Sequence, residues 1–187
     1  MVIDNCLPQS IFDDLVKQVT DWDYTNWFFV KNTAYNLEDR DLLFHSSLAH
    51  SSVLAGEDNS VLSSISRKAV NIILFQAGEN LESIYRIRFG LITCTSETII
   101  HDPHVDYEFK HRTGLLYLND SDGDTIFYDK FHKPGQPAIK CGEEDIVQRV
   151  EPKSNRVTLF DGWQYHSSST PTKNTYRLVM NFNYTVT

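Results

Sequence analysis

The stretch TGLLYLNDSDGDTIFY at 113–128 reads as strand, turn, strand. Residues 113–118 are apolar and β-prone, DSDG at 120–123 supplies turn formers, and 124–129 resumes the strand pattern. Working outward, strands are expected at 84–93 and 98–104 on one side and at 145–151, 155–160 and 175–184 on the other. Turns at KPGQP (133–137) and PKSN (152–155) separate some of them. Seven short strands at this spacing imply an antiparallel sandwich or barrel rather than a βαβ array, and a double-stranded β-helix, or jelly roll, fits the count.

The first third has a different period. After Pro8, Ile11, Phe12, Leu15, Val16 and Val19 form a helical apolar stripe suited to covering a sheet. An aromatic patch follows at Trp22, Tyr24, Trp27, Phe28 and Phe29. Residues 31–60 read as irregular, with a short helix through 41–50. A second helix, capped by Ser60 or Asn59, runs to about 77 and stops at Gly78. The expectation is a mainly β chain forming one domain over 1–187, with 1–78 as a helical support packed outside a jelly-roll core at 79–187.

A chain of 187 residues can bury roughly 70% of its extended surface, so neither a metal nor a disulfide is needed merely to hold it together. The formal charge of −8 disfavours nucleic acid as a partner, and KHR at 110–112 reads as a solvated loop. No run approaches the roughly 20 apolar residues of a membrane helix, and the first residues lack a signal-peptide pattern. Cys6, Cys94 and Cys141 are odd in number and far apart, which points to a reducing, cytoplasmic setting.

Chemistry concentrates in IIHDPHVDY (99–107). Two residues apart on extended backbone, His104 and Asp106 share a side and can converge on one ion. His166, after the apolar strand at 155–160, is the best third ligand. Two imidazoles and one carboxylate on one face of a metal leave the opposite positions open for substrate, cofactor or O2. His101 competes, but Pro103 restricts the residue before it and is expected to turn His101 away. His45, His50, His111 and His132 read as solvent-facing.

The order of elements around this pair resembles the 2-oxoglutarate and iron(II)-dependent dioxygenases, particularly the prolyl 4-hydroxylase-like group. The matching stretches are HVD at 104–106, LLYLN at 115–119, DGDTIFY at 122–128, RVTLFDGWQYH at 156–166 and TYRLVMNFNY at 175–184. The resemblance covers about residues 84–184. It implies that His104, Asp106 and His166 bind Fe(II) and that Arg177 pairs with the distal carboxylate of the cosubstrate 2-oxoglutarate. Tyr117 would donate a hydrogen bond to the same cosubstrate and Thr125 would line the pocket wall. It also implies a hydroxylase that consumes O2 and releases succinate and CO2. DGDT differs from the family's GGxT at its first glycine, and Arg177 follows His166 at a slightly longer spacing than is common.

The residues support the Arg177 assignment separately. Arg177 alternates with Tyr176, Leu178, Met180 and Phe182 and therefore shares a face with Val179, Asn181 and Asn183. A guanidinium on an inner strand face needs a partner, and a dicarboxylate suits its planar fork. The substrate expected is a protein side chain, proline being one candidate, or a small amino-acid-like molecule. Trp22, Tyr24, Trp27 and Trp163 could wall it or serve as packing. Two other classes compete: a non-oxidative metal-dependent jelly-roll enzyme, which would take zinc without 2-oxoglutarate, and a non-catalytic interaction protein indifferent to metal.

Overall fold

The alternation in the last expected strand sorts two environments. In β11 (Tyr176–Val186), Leu178, Met180, Phe182 and Tyr184 are buried on one face, while Arg177, Val179, Asn181 and Asn183 occupy the other. The computed structural model describes residues 1–21, 23–30 and 47–187. Within them lie helices α1 (Gln9–Thr20) and α2 (Ser63–Ala77) and ten further strands. These are β1 (Val2–Ile3), β2 (Phe28–Val30), β3 (Ser47–Leu54), β4 (Glu57–Asp58), β5 (Leu81–Thr93) and β6 (Arg112–Tyr117). The rest are β7 (Thr125–Phe131), β8 (Ile146–Val150), β9 (Arg156–Asp161) and β10 (Gln164–Ser168).

The larger sheet runs β1-β9-β6-β11-β5-β3-β2, with β4 paired to β3; the smaller runs β10-β7-β8. Every pairing is antiparallel, and the two sheets form a mainly β jelly roll with the helices outside. One apolar cluster joins the helices to the outer face of the large sheet. Phe12, Leu15 and Val19 of α1 and Ala69, Val70, Ile73 and Leu74 of α2 meet Ile87, Phe89, Leu116, Leu159, Met180 and Phe182. A second cluster fills the space between the sheets with Leu115, Tyr117, Phe127, Val150, Phe160 and Val179. No helix among the described residues is long and apolar enough to cross a membrane.

Both expected helices form. α1 starts directly after Pro8, whose carbonyl accepts from Ile11 and Phe12. α2 begins slightly later than expected, because Ser60 and Ser63 first close a hydrogen-bonded turn. Gly78 ends it with φ +70°, its N–H on Phe75 O, and Glu79 N–H on Leu74 O.

Several expectations fail. Residues 98–104 make only single bridges, Ile100 to Ser169 and His104 to His166, because Pro103 has no N–H to continue a ladder. Residues 47–50 of the expected helix belong to β3, whereas 41–46 lie outside the described residues. The amino-terminal support is consequently mixed rather than helical, since β1 to β4 all join the large sheet.

Gly114 of β6 stands opposite Phe182 of β11, and the phenyl ring covers the glycine so closely that a Cβ would overlap its atoms. Gly114→Ala is expected to cost about 1–3 kcal/mol by displacing a ring packed in the main core. For a chain of this size each kcal/mol lowers Tm by about 2–4 °C. Calorimetry checks this, and an unchanged Tm would mean that the ring moves freely.

Candidate functional site

Two backbone hydrogen bonds bring the histidines together. His104 N–H donates to His166 O at 2.9 Å, and His166 N–H returns to His104 O at 3.0 Å. This couples the 101–111 connection to β10 and sets the two rings 4.8 Å apart between centroids. Nδ1 of His104 lies 3.1 Å from Asp102 O and Nδ1 of His166 lies 3.1 Å from Gln164 O. Carbonyls only accept, so both Nδ1 atoms carry the proton and both Nε2 atoms keep a lone pair for a ligand.

Asp106 completes the group. One ligand atom from each of His104, Asp106 and His166 lies within 4.8 Å of the others, so these residues could hold a metal ion. The carboxylate is buried and firmly held. Its Oδ1 accepts from Arg86 at 2.9 Å, and its Oδ2 accepts from Asn183 at 2.8 Å and Asn181 at 3.2 Å. Burial alone would raise its pKa. The Arg86 guanidinium, the two imidazoles and the Asn183 amide outweigh that and hold it well below the carboxylate range. For His166, burial and the neighbouring His104 lower the pKa from 6.5 to about 4, which keeps the imidazole neutral.

A cavity of about 110 Å³ extends from this group along the inner faces of β5 and β11. At its far end is Arg177, 3% exposed, donating through Nε to Gly123 O and through a terminal nitrogen to Thr125 Oγ1, each at 2.8 Å. It forms no ion pair among the described residues. Burial lowers its pKa, opposed by Tyr117 and Asp124. Tyr117 donates to the same Thr125 oxygen at 2.8 Å, and its ring lies 5.8 Å from the Arg177 guanidinium carbon. Thr125 lines the cavity, whereas the fully buried Tyr117 stands behind it. The buried Ser47 hydroxyl also belongs to the lining and has no hydrogen-bond partner among the described residues.

The other histidines divide differently from expectation. His101 is turned to Ser168 Oγ at 2.7 Å and is not in the metal-competent group. His50, His111 and His132 are buried, not solvent-facing. His50 bridges Asn26 O and Ser60 Oγ, His111 meets Phe109 O, and His132 packs on Trp163. His45 and Trp22 lie outside the described residues. Trp27 packs against the main core, Tyr24 is exposed, and Trp163 donates to Glu108 O and Phe109 O. None of these three lines the cavity.

Sequence reasoning missed Arg86, Asn181 and Asn183. The signal was available in the strand period, because Asn181 and Asn183 share the face assigned to Arg177, and Arg86 sits across from Asn183.

No protein-family model matches the chain, and no curated protein matches it in sequence. Solved structures do share its fold. A Pseudomonas putida prolyl-4-hydroxylase superposes with a TM-score of 0.59 at 13% identity, over 98% of this chain and 90% of that one. A Trichoplax adhaerens prolyl hydroxylase, in complex with a hypoxia inducible factor peptide fragment, gives 0.62 at 13%, over 98% and 82%. HygX from Streptomyces hygroscopicus, with nickel and 2-oxoglutarate bound, gives 0.62 at 14%, over 98% and 81%. The chain therefore has the jelly-roll fold seen in 2-oxoglutarate–Fe(II) oxygenases. At such identities the likeness concerns the fold, and the chemistry must be argued from the residues.

The lowered His166 pKa predicts how metal-free protein responds to acid. The unfolded chain takes up this proton first, so the contribution is complete above pH 6.5 and is lost as pH falls toward 4. Denaturant titrations from pH 7.5 to 4 should show a loss on the order of 2–3 kcal/mol that is smaller in His166→Asn. An identical pH slope in the variant would exclude this group as the source.

Proposed function

We propose that this chain is a 2-oxoglutarate- and Fe(II)-dependent dioxygenase that hydroxylates its substrate. The observation that carries the proposal is one cavity with a metal-competent His104–Asp106–His166 group at one end and, at the other, a buried Arg177 that forms no ion pair among the described residues. The donor set suits iron(II): two imidazoles with Nδ1 turned to a backbone carbonyl and Nε2 left over, and a carboxylate held ionised. The buried guanidinium and the Ser47 hydroxyl, which has no hydrogen-bond partner among the described residues, line the same cavity and suit a carboxylate-bearing ligand.

In this reading His104, Asp106 and His166 hold the metal and leave its other positions open. Arg177, oriented by Gly123 O and Thr125 Oγ1, binds the distal carboxylate of 2-oxoglutarate. Thr125 lines that end, and Tyr117 fixes the Thr125 hydroxyl and packs beneath the guanidinium. Arg86, Asn181 and Asn183 keep the Asp106 carboxylate from swinging away. Together with O2, the metal and keto acid supply oxidative chemistry in which succinate and CO2 leave and one oxygen atom enters the substrate. The substrate is a protein side chain, proline among the candidates, or a small amino-acid-like molecule. One feature favours a non-catalytic jelly roll instead: Asp106 already has a cationic partner in Arg86.

Anaerobic titration separates these readings. Iron(II) followed by 2-oxoglutarate should produce a visible metal-to-ligand charge-transfer band that needs both additions and is absent in His104→Ala. Arg177→Gln should still take up iron, with affinity for 2-oxoglutarate at least about tenfold weaker, or 1.4 kcal/mol. Folded protein that binds iron yet shows no band would sink the cosubstrate assignment, and failure to bind iron would leave Asp106 as a structural ion-pair partner.

A further inference from the structure

A threonine hydroxyl has one proton to donate and two lone pairs to fill. At Thr125, buried at the start of β7 and part of the cavity lining, both lone pairs are taken. Arg177 donates to Oγ1 through a terminal nitrogen and Tyr117 donates through its hydroxyl, each at 2.8 Å. Both partners approach as donors, so neither receives the Thr125 proton. Among the described residues that proton has no acceptor. It is left for whatever fills the cavity.

Strand pairing places that hydroxyl relative to the metal-competent group. β7 and β10 pair Phe127 with His166 and Thr125 with Ser168. Thr125 therefore shares a face with His166, one two-residue step away, about 7 Å along the strand. That is close to the span of a five-carbon dicarboxylate. Arg177 reaches the same place from β11, with Nε on Gly123 O and one terminal N–H on Thr125. Its other N–H groups are committed to no hydrogen bond among the described residues. Tyr117 stands outside the cavity lining, fully buried, with its proton spent on Thr125.

We propose that the Thr125 hydroxyl donates the neutral hydrogen bond to the far carboxylate of 2-oxoglutarate, and that Tyr117 acts only through Thr125. This rests on the oxygenase reading and deepens its cosubstrate site: the bond that the dioxygenase resemblance gives to Tyr117 passes to the residue in front of it. A hydroxyl with both lone pairs filled cannot turn round to accept, so it is a donor fixed before the ligand arrives. Beside the guanidinium, it selects a ligand end that only accepts, as a carboxylate does, over one that donates or is apolar. Thr125 is thus a binding residue, and Tyr117 a positioning residue that holds its hydroxyl in that orientation.

Calorimetric titration of protein loaded with zinc, which is redox-inert, measures affinity for 2-oxoglutarate and for 2-oxovalerate, the same keto acid without the far carboxylate. Thr125→Val should weaken 2-oxoglutarate about tenfold or more and leave 2-oxovalerate unchanged. Thr125→Ser should keep most of the affinity that Thr125→Val loses. Tyr117→Phe should weaken 2-oxoglutarate severalfold by itself but add nothing in the Thr125→Val background. Undiminished affinity in Thr125→Val, equal losses for both keto acids, or the same Tyr117→Phe loss in both backgrounds overturns the proposal. Hydroxyl-proton NMR of the unsubstituted protein serves where Thr125→Val folds poorly. There 2-oxoglutarate should bring up a slowly exchanging threonine hydroxyl proton, and saturated protein without one is equally decisive against the proposal. Protein that binds 2-oxoglutarate without these Thr125 effects sinks this inference alone. Folded, zinc-loaded protein that binds no 2-oxoglutarate sinks the oxygenase reading with it.

Discussion

Burying the Asp106 carboxylate is the constraint around which the site is arranged. An ionised carboxylate withdrawn from water loses several kcal/mol of solvation, and only close, well-directed partners offset that loss. Arg86 of β5 and Asn181 and Asn183 of β11 provide them. Those strands are the two longest among the described residues, paired along nearly their whole length. The connection carrying His104 and Asp106 is thereby fastened to the most extensively paired strands of the large sheet among the described residues. Its other attachment, the reciprocal backbone pair between His104 and His166, reaches the small sheet. A loop that would otherwise be free is held from both sides at the point where three ligand atoms must converge.

The same logic explains two departures from the dioxygenase pattern that the sequence resembles. Asp122 stands where a glycine is usual, and the connection from His166 to Arg177 is long. They answer each other: the Asp122 carboxylate accepts from the backbone N–H groups of Thr172, Lys173 and Asn174 and from the Thr172 hydroxyl. Burial would raise its pKa, but these donors, the Thr172 hydroxyl foremost, hold it well below the carboxylate range. Next to it Gly123 is indispensable, since a Cβ there would lie 2.6 Å from Ser169 O and 3.2 Å from the Arg177 side chain. The acidic residue pins the extra chain and the glycine lets that chain pass close enough for its carbonyl to orient Arg177.

What could be read from sequence follows the strength of the periodic signals. The helical stripes of α1 and α2 and the alternation in β11 are long and apolar, and both the elements and the inward face of Arg177 followed from them. β3 was hidden because SLAHSSV is small and polar. Several of its polar groups find partners distant in sequence, such as Ser52 with Ser66 and His50 with Asn26 and Ser60. β10 was hidden for the same reason, with QYHSS offering little apolar contrast. Conversely, 98–104 looked strand-like on composition but pairs only at isolated points. The histidines show the limit most clearly. His50, His111 and His132 are buried by tertiary contacts that no local window contains. His104, Asp106 and His166 could be singled out because spacing and element order converged on them.

The two faces of β5, β6 and β11 divide the work of the molecule. Outward residues, Ile87 and Phe89 on β5, Leu116 on β6 and Met180 and Phe182 on β11, are apolar and locked against the helices, so they govern stability. Inward residues on β5 and β11 include three arginines, two asparagines and a glycine, a poor core by any packing standard. Such a face persists because its charges are satisfied one at a time: Arg86 by Asp106, and Arg177 by Gly123 O and Thr125 with Tyr117 beneath. Stability carried by the outer face lets the inner one keep charged groups facing a cavity, which a single apolar core of this size could not tolerate. The polar inner strand face is therefore the feature that separates a site from a sandwich, and it is visible in the two-residue period before any ligand is considered.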